Sequence, residues 1–173
     1  MTYREGTFPF QLTGTVEPAK PVEEPPEELN HHDEIAILVE HMRGMPQTEC
    51  PVQHRFAPGV YLREIFMPAD TVVIGKVHKT EHFNILIAGA CLIVHDDGTR
   101  EELRAPYTFV SKAGVQKVLY ILEPMIWQTV HVTAETDLAV LEEQLISKEH
   151  PALSEPARVQ VALIAQEREE LKS

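Results

Sequence analysis

Between Gly59 and Val132 apolar residues recur with a period of two, and turn-forming residues interrupt the pattern every few positions. Such alternation puts one face of a strand on a core and the other on solvent, so the stretch reads as sheet. The expected strands are 60–67, 71–77, 83–87, 90–95, 101–104, 107–110, 117–122 and 126–132. Pro68-Ala69-Asp70, Asp96-Asp97-Gly98, Ala105-Pro106, Lys112-Ala113-Gly114 and Glu123-Pro124 separate them. These residues set turn angles or withhold a ladder donor. About eight short strands at this spacing predict a closed barrel or jelly roll.

The flanks read differently. Residues 1–29 interleave five prolines (Pro9, Pro18, Pro21, Pro25, Pro26) with Glu17, Glu23, Glu24, Glu27 and Glu28. Missing backbone donors and like-charge repulsion predict an extended arm, one that a neighbouring subunit can hold. Residues 30–57 read as helix and loop. Asn30 caps the helix with Asp33 at its third position, and Ile35, Leu38, Val39 and Met42 form an apolar stripe that Gly44 and Pro46 end. His31, His32 and His41 fall on this helix in surface or capping roles. Beyond a barrel over 58–132, residues 133–173 turn helical. Leu138, Leu141, Leu145 and Ile146 form one face, capped by Thr133 or Thr136. A second helix follows Ser154-Glu155-Pro156, with Val159, Leu163 and Ile164 as its apolar positions. Both helices are expected to cover a barrel edge or a dimer seam.

A chain of 173 residues is long enough for one domain with appendages. Its formal charge of −12 repels phosphate backbones, so no nucleic-acid partner is expected. No apolar run approaches the roughly 20 residues of a membrane helix, and the first residues lack the apolar region of a signal peptide, so a cytoplasmic protein is expected. Cys50 reads as a loop thiol and Cys91 as strand packing, with no disulfide framework. No Gly-x-Ser-x-Gly, phosphate-binding loop or dinucleotide fingerprint occurs.

Chemistry concentrates in Gly75-Lys-Val-His78-Lys-Thr-Glu-His82, six residues before Gly89. His78 and His82 flank a tight connection between strands, and two imidazoles converging from neighbouring strands suit a divalent ion. A third ligand must come from elsewhere.

This pattern resembles the cupin superfamily. Aligned on Gly89, His82 takes the place of the first motif's glutamate, His78 that of its second histidine, and Lys76 that of its first. In Ser111-Lys-Ala-Gly114-Val-Gln-Lys117, Lys117 replaces the second motif's histidine and Lys112 its proline. The likeness spans residues 58–132 and implies a mainly β fold: a single cupin-type jelly-roll barrel with an N-terminal arm and helix and two C-terminal helices. Small cupin-like proteins of tailed phages look similar as well, in Ala105-Pro106, Ala113-Gly114, the Trp127 to His131 strand and Thr136-Asp137-Leu138. That resemblance implies a host-cytoplasmic or virion setting.

A charged lysine offers no lone pair, so the usual three-histidine, one-glutamate set is absent. His131, alternating with Trp127 and Thr129, is the best third ligand beside His78 and His82, with Glu81 and Glu64 as weaker fourth candidates. The metal would be zinc, iron, manganese or nickel. Alternatively, Lys76 and Lys117 make the pocket cationic and bind a small carboxylate or phosphate, or they pair with Glu81 and close it. Tyr107, Phe109, Tyr120 and Trp127 are core and rim aromatics, and Tyr107 joins Lys76 and Lys117 as a ligand-binding residue. Three functions follow: a homo-oligomeric binding module, dimeric or larger; a metal-dependent enzyme on a small acid or sugar; and an assembly protein contacting virion subunits through its arm and helices.

Overall fold

The computed structural model describes residues 28–95, 98–148 and 152–171. Residues 1–27 of the expected arm, and Asp96 and Asp97, lie outside the described residues. Helix α1 (His31–Arg43) precedes strands β1 (Val52–Ala57), β2 (Val60–Met67), β3 (Val72–Ile74), β4 (His82–Val94), β5 (Arg100–Arg104), β6 (Tyr107–Ser111) and β7 (Val118–Val132). Helices α2 (Leu138–Leu145) and α3 (Glu155–Glu170) follow.

All strand pairs are antiparallel, in the order β1-β2-β7-β4-β5, with β3 added to β7 and β6 to β4. β4 and β7 each serve both halves of the rolled sheet. The first half of β4 pairs with β6 and the end of β7; its second half pairs with β5 and the start of β7. The result is the expected mainly β jelly-roll barrel, one helix before it and two after.

Two expected breaks are bends. Segments 83–87 and 90–95 form the single strand β4, and 117–122 and 126–132 form β7, with Glu123-Pro124 inside it. The β4–β7 register slips between Leu86 and Ala88, Ala88 and Ala90, and Ala90 and Cys91. Gly89 sits at this bend with φ +84°, and a Cβ there would lie 2.3 Å from the Pro124 carbonyl oxygen. Only glycine fits both the angle and the approach. Strand β1, expected as loop, pairs with all of β2 except its last two residues. Apart from Val52 its residues are exposed, so it carries no alternation to read.

The core comprises Met67, Leu86, Cys91, Ile93, Leu103, Leu119, Ile121, Met125 and Trp127. Cys91 is fully buried there, and burial pushes its thiol up to about 11, which keeps it inert packing. A second cluster, Tyr61 with Leu141 and Leu145, docks α2 on the barrel. Its cap is Asp137, which accepts from the Ala139 and Val140 amides, rather than either threonine. The expected α1 capping box is present: Asn30 accepts from the His32 and Asp33 amides while Asp33 accepts from the Asn30 amide. The other Asp33 oxygen accepts from the Ser154 amide at 3.0 Å, joining the starts of α1 and α3. Glu40, buried on α1, accepts from Arg43 at 2.7 Å and from Arg168 of α3. Of the three expected apolar positions of α3, Val159 and Leu163 are 49% and 54% exposed and Ile164 is half-buried.

Candidate metal centre

Alternation aims a column of side chains from each central strand into the barrel. On β2 these are Tyr61, Arg63, Ile65 and Met67; on β7 His131, Thr129, Trp127 and Met125; on β4 His82, Asn84 and Leu86. The register pairs Tyr61 with His131, Arg63 with Thr129, Ile65 with Trp127 and Met67 with Met125. The inward columns therefore stack as layers, aromatic and histidine at the mouth, polar below, apolar at depth. Trp127 Nε1 donates to Asn84 Oδ1 at 3.0 Å, and Asn84 Nδ2 donates to Ser111 Oγ at 2.8 Å, so three polar groups of the middle layers satisfy one another.

His131 points inward and is 2% exposed, whereas its neighbour Val132 is 93% exposed. His82, first residue of β4, is buried too. His78 arrives on the connection from β3 to β4, and three contacts pin that loop. Its carbonyl accepts from the Gly114 amide at 2.9 Å, the Lys79 amide donates to the Leu145 carbonyl at 2.8 Å, and the Ser147 amide donates to the Val77 carbonyl at 2.8 Å. His78 also bridges to Ile146.

The structure brings His78, His82 and His131 together: one ligand atom from each lies within 4.8 Å of the others. Ring centroids are 4.0 Å apart for His78 and His82, 4.8 Å for His82 and His131, and 5.1 Å for His78 and His131. His82 Nδ1 lies 3.1 Å from the Thr80 carbonyl oxygen, which only accepts, so that nitrogen carries the proton and Nε2 keeps its lone pair. The buried Nδ1 atoms of His78 and His131 and the Thr129 hydroxyl have no hydrogen-bond partner among the described residues. Burial holds all three imidazoles below the usual histidine range, His78 at about 3 and His131 at about 4. The neighbouring imidazoles and Arg63 add to the shift at His78 and His131, and Lys117 adds at His78 and His82. At neutral pH the cluster is uncharged, with lone pairs available and two orphaned nitrogens. That donor set fits a divalent transition metal.

The remaining candidates separate. Lys76 lines the cavity, is largely exposed and pairs with Glu142 of α2 at 2.5 Å. Lys117 lines the cavity below the histidines, with Nζ 6.0 Å from the centroid of Phe109. Tyr107 stands 42% exposed on β6, its ring 5.8 Å from Phe109; the aromatic that lines the cavity is Trp127. Glu81 is exposed, and Glu64 accepts from Gln128 and Arg55 on the outer face, so neither acid reaches the cluster. The reason is parity: each sits next to an inward residue, His82 or Arg63. His31 and His41 stay on α1, away from the cluster.

Sequence reasoning missed Arg63. Its signal was its place in the same phase as Tyr61, Ile65 and Met67 on β2. The cavity it lines measures about 210 Å³ and also contains His78, His82, Thr129 and Lys117. A larger space of about 790 Å³, lined by Ile35, Val39 and Arg43 of α1 and by Lys79, meets it at His78.

No family model matches the chain, and no curated protein sequence matches it. Solved structures resemble it in part. An RmlC-like cupin family protein with a double-stranded β-helix fold from Methanocaldococcus jannaschii is 12% identical, covering 51% of this chain and 84% of that one at a TM-score of 0.42. A cupin domain from Bordetella pertussis Tohama I is 13% identical, with 52% and 99% covered and a TM-score of 0.42. A putative ethanolamine utilization protein Q from Salmonella typhimurium is 8% identical, with 54% and 76% covered and a TM-score of 0.44. Among the described residues no helix is long and apolar enough to cross a membrane.

Proposed function

We propose that the chain is a cupin-like barrel that holds a divalent metal on His78, His82 and His131 and presents it to a small anionic ligand. The observation carrying this reading is a buried cluster of three neutral imidazoles, two with unsatisfied nitrogens, at the mouth of a cavity lined by cationic side chains. Neutral nitrogen donors with no carboxylate suit zinc, iron or nickel better than manganese, calcium or magnesium. When bound, the ion supplies Lewis acidity and positive charge to whatever fills its open positions. The His82 bond to Thr80 fixes one ligand's tautomer, and the pinned loop fixes the position of His78.

Elemental analysis of tag-free protein tests the site. Close to one equivalent of metal is expected, lost in His78→Ala/His82→Ala and retained in His41→Ala. Equal content in all three proteins sinks the reading.

A second reading, an assembly subunit, has its own support. The outer sheet face carries one apolar row across four strands, Val110, Phe83, Val130 and Leu62, in register. Phe83 and Val110 are 54% and 52% exposed. An apolar row of this extent suits contact with another copy, and so a homo-oligomer.

A further inference from the structure

Directly below the histidines, one layer of the barrel is left chemically incomplete. Asn84, Ser111 and Trp127 satisfy each other, but the two residues facing them across the ladder do not. The Thr129 hydroxyl is buried, its residue 8% exposed, and has no partner among the described residues. Arg63, its register partner on β2, is half-buried, and its guanidinium makes no ion pair or hydrogen bond with any described residue. Side chains paired in this way on one face of a sheet have Cβ atoms about 5 Å apart. A guanidinium sheltered from water without a carboxylate is costly, and so is an orphaned buried hydroxyl. Both costs vanish when an oxyanion enters. Arg63 offers a planar fork of donors that matches a carboxylate's two oxygens.

The surroundings narrow the ligand further. The next layers are Ile65, Trp127, Met67 and Leu119, with Val73 from the facing half-sheet. The cavity's roughly 210 Å³ equals the share of about seven liquid waters. Space of that order suits a small ligand, and the mostly apolar walls suit an apolar body better than a polyol.

We propose that this cavity binds a small carboxylic acid with an apolar body, its carboxylate held by the Arg63 guanidinium and the Thr129 hydroxyl beside the histidine cluster. The inference rests on the proposed site only for the group that the carboxylate faces at the mouth. Lys117 adds positive charge to the same cavity. Arg63 is the specificity-determining residue: it separates an acid from its uncharged amide.

The test is calorimetric titration of the full chain with isovalerate, isovaleramide and inorganic phosphate, with metal content measured on the same samples. Isovalerate should bind at least about tenfold tighter than isovaleramide, the ratio expected of one charge-assisted contact. Arg63→Gln should abolish that preference and leave metal content unchanged, and Thr129→Val should weaken isovalerate several-fold. Arg63→Lys, which keeps the charge and loses the fork, should recover part of the preference and serves as the probe if the glutamine variant fails to fold. Failure of isovalerate to bind, equal binding of acid and amide, tighter binding of phosphate, or a preference that survives Arg63→Gln overturns the assignment whatever the metal content. An Arg63-dependent preference in protein that takes up no metal upholds it and rejects the metal reading instead.

Discussion

The histidine cluster couples stability to pH. In the metal-free protein His78 takes up a proton only at about 3 and His131 at about 4, against an ordinary 6.5. Below 6.5 the unfolded chain binds protons that the folded chain refuses, so this contribution to stability is complete above 6.5 and lost as pH falls toward 4 and 3. His131→Gln removes one such group. Its urea midpoint relative to wild type should therefore rise as pH is lowered from neutrality, and a constant difference would contradict a buried neutral His131. Gly89 is the other residue on which much depends. Gly89→Ala combines positive φ with a Cβ 2.3 Å from a backbone oxygen, for an expected loss of about 2–4 kcal/mol in denaturant unfolding. Gly59→Ala, with positive φ and open space around it, should lose only about 1–2 kcal/mol. Equal losses would mean that the β4–β7 bend relaxes freely.

At the level of elements, legibility followed burial. Strand β2 was readable to the residue because turn residues bound it, and Tyr61 and Met67 of its inward phase are buried. Parity likewise placed His131 beside Trp127 and Thr129, and with it the third imidazole. Strand β1 was not readable, since a paired strand with both faces wet has no reason to alternate. Gly89 and Glu123-Pro124 looked like turns because local chemistry cannot distinguish a chain reversal from a bulge that bends a strand against its neighbour. Arg63 escaped for a different reason: its interest lies in the carboxylates it lacks, which is a property of the fold. The cap of α2 offers a test at this scale. Asp137→Ala should cost about 0.5–2 kcal/mol by removing the acceptor for two amides, measurable as a lower urea midpoint. Thr136→Ala should change little, and the reverse order would move the cap to the threonine.

Across the whole molecule the two faces of one sheet divide the work. The inner face gathers nitrogen donors and a cation, and the outer face presents Phe83 and Val110 to solvent. If copies meet on that row, Phe83→Asp with Val110→Asp should shift the mass in light scattering to that of one chain without altering metal content. An unchanged mass would assign contacts between copies to another surface. The tethering of His78 has a wider consequence. Its loop is held by backbone bonds at Leu145, the last residue of α2, and at Ser147 just after it, both beyond the last strand. A chain trimmed after Val132 keeps every strand of the barrel but leaves the His78 loop with one of its three pinning bonds, the one from the Gly114 amide. On the proposed metal reading, α2 and the residues just after it therefore belong to the site, because they hold the loop that carries one of its three ligands.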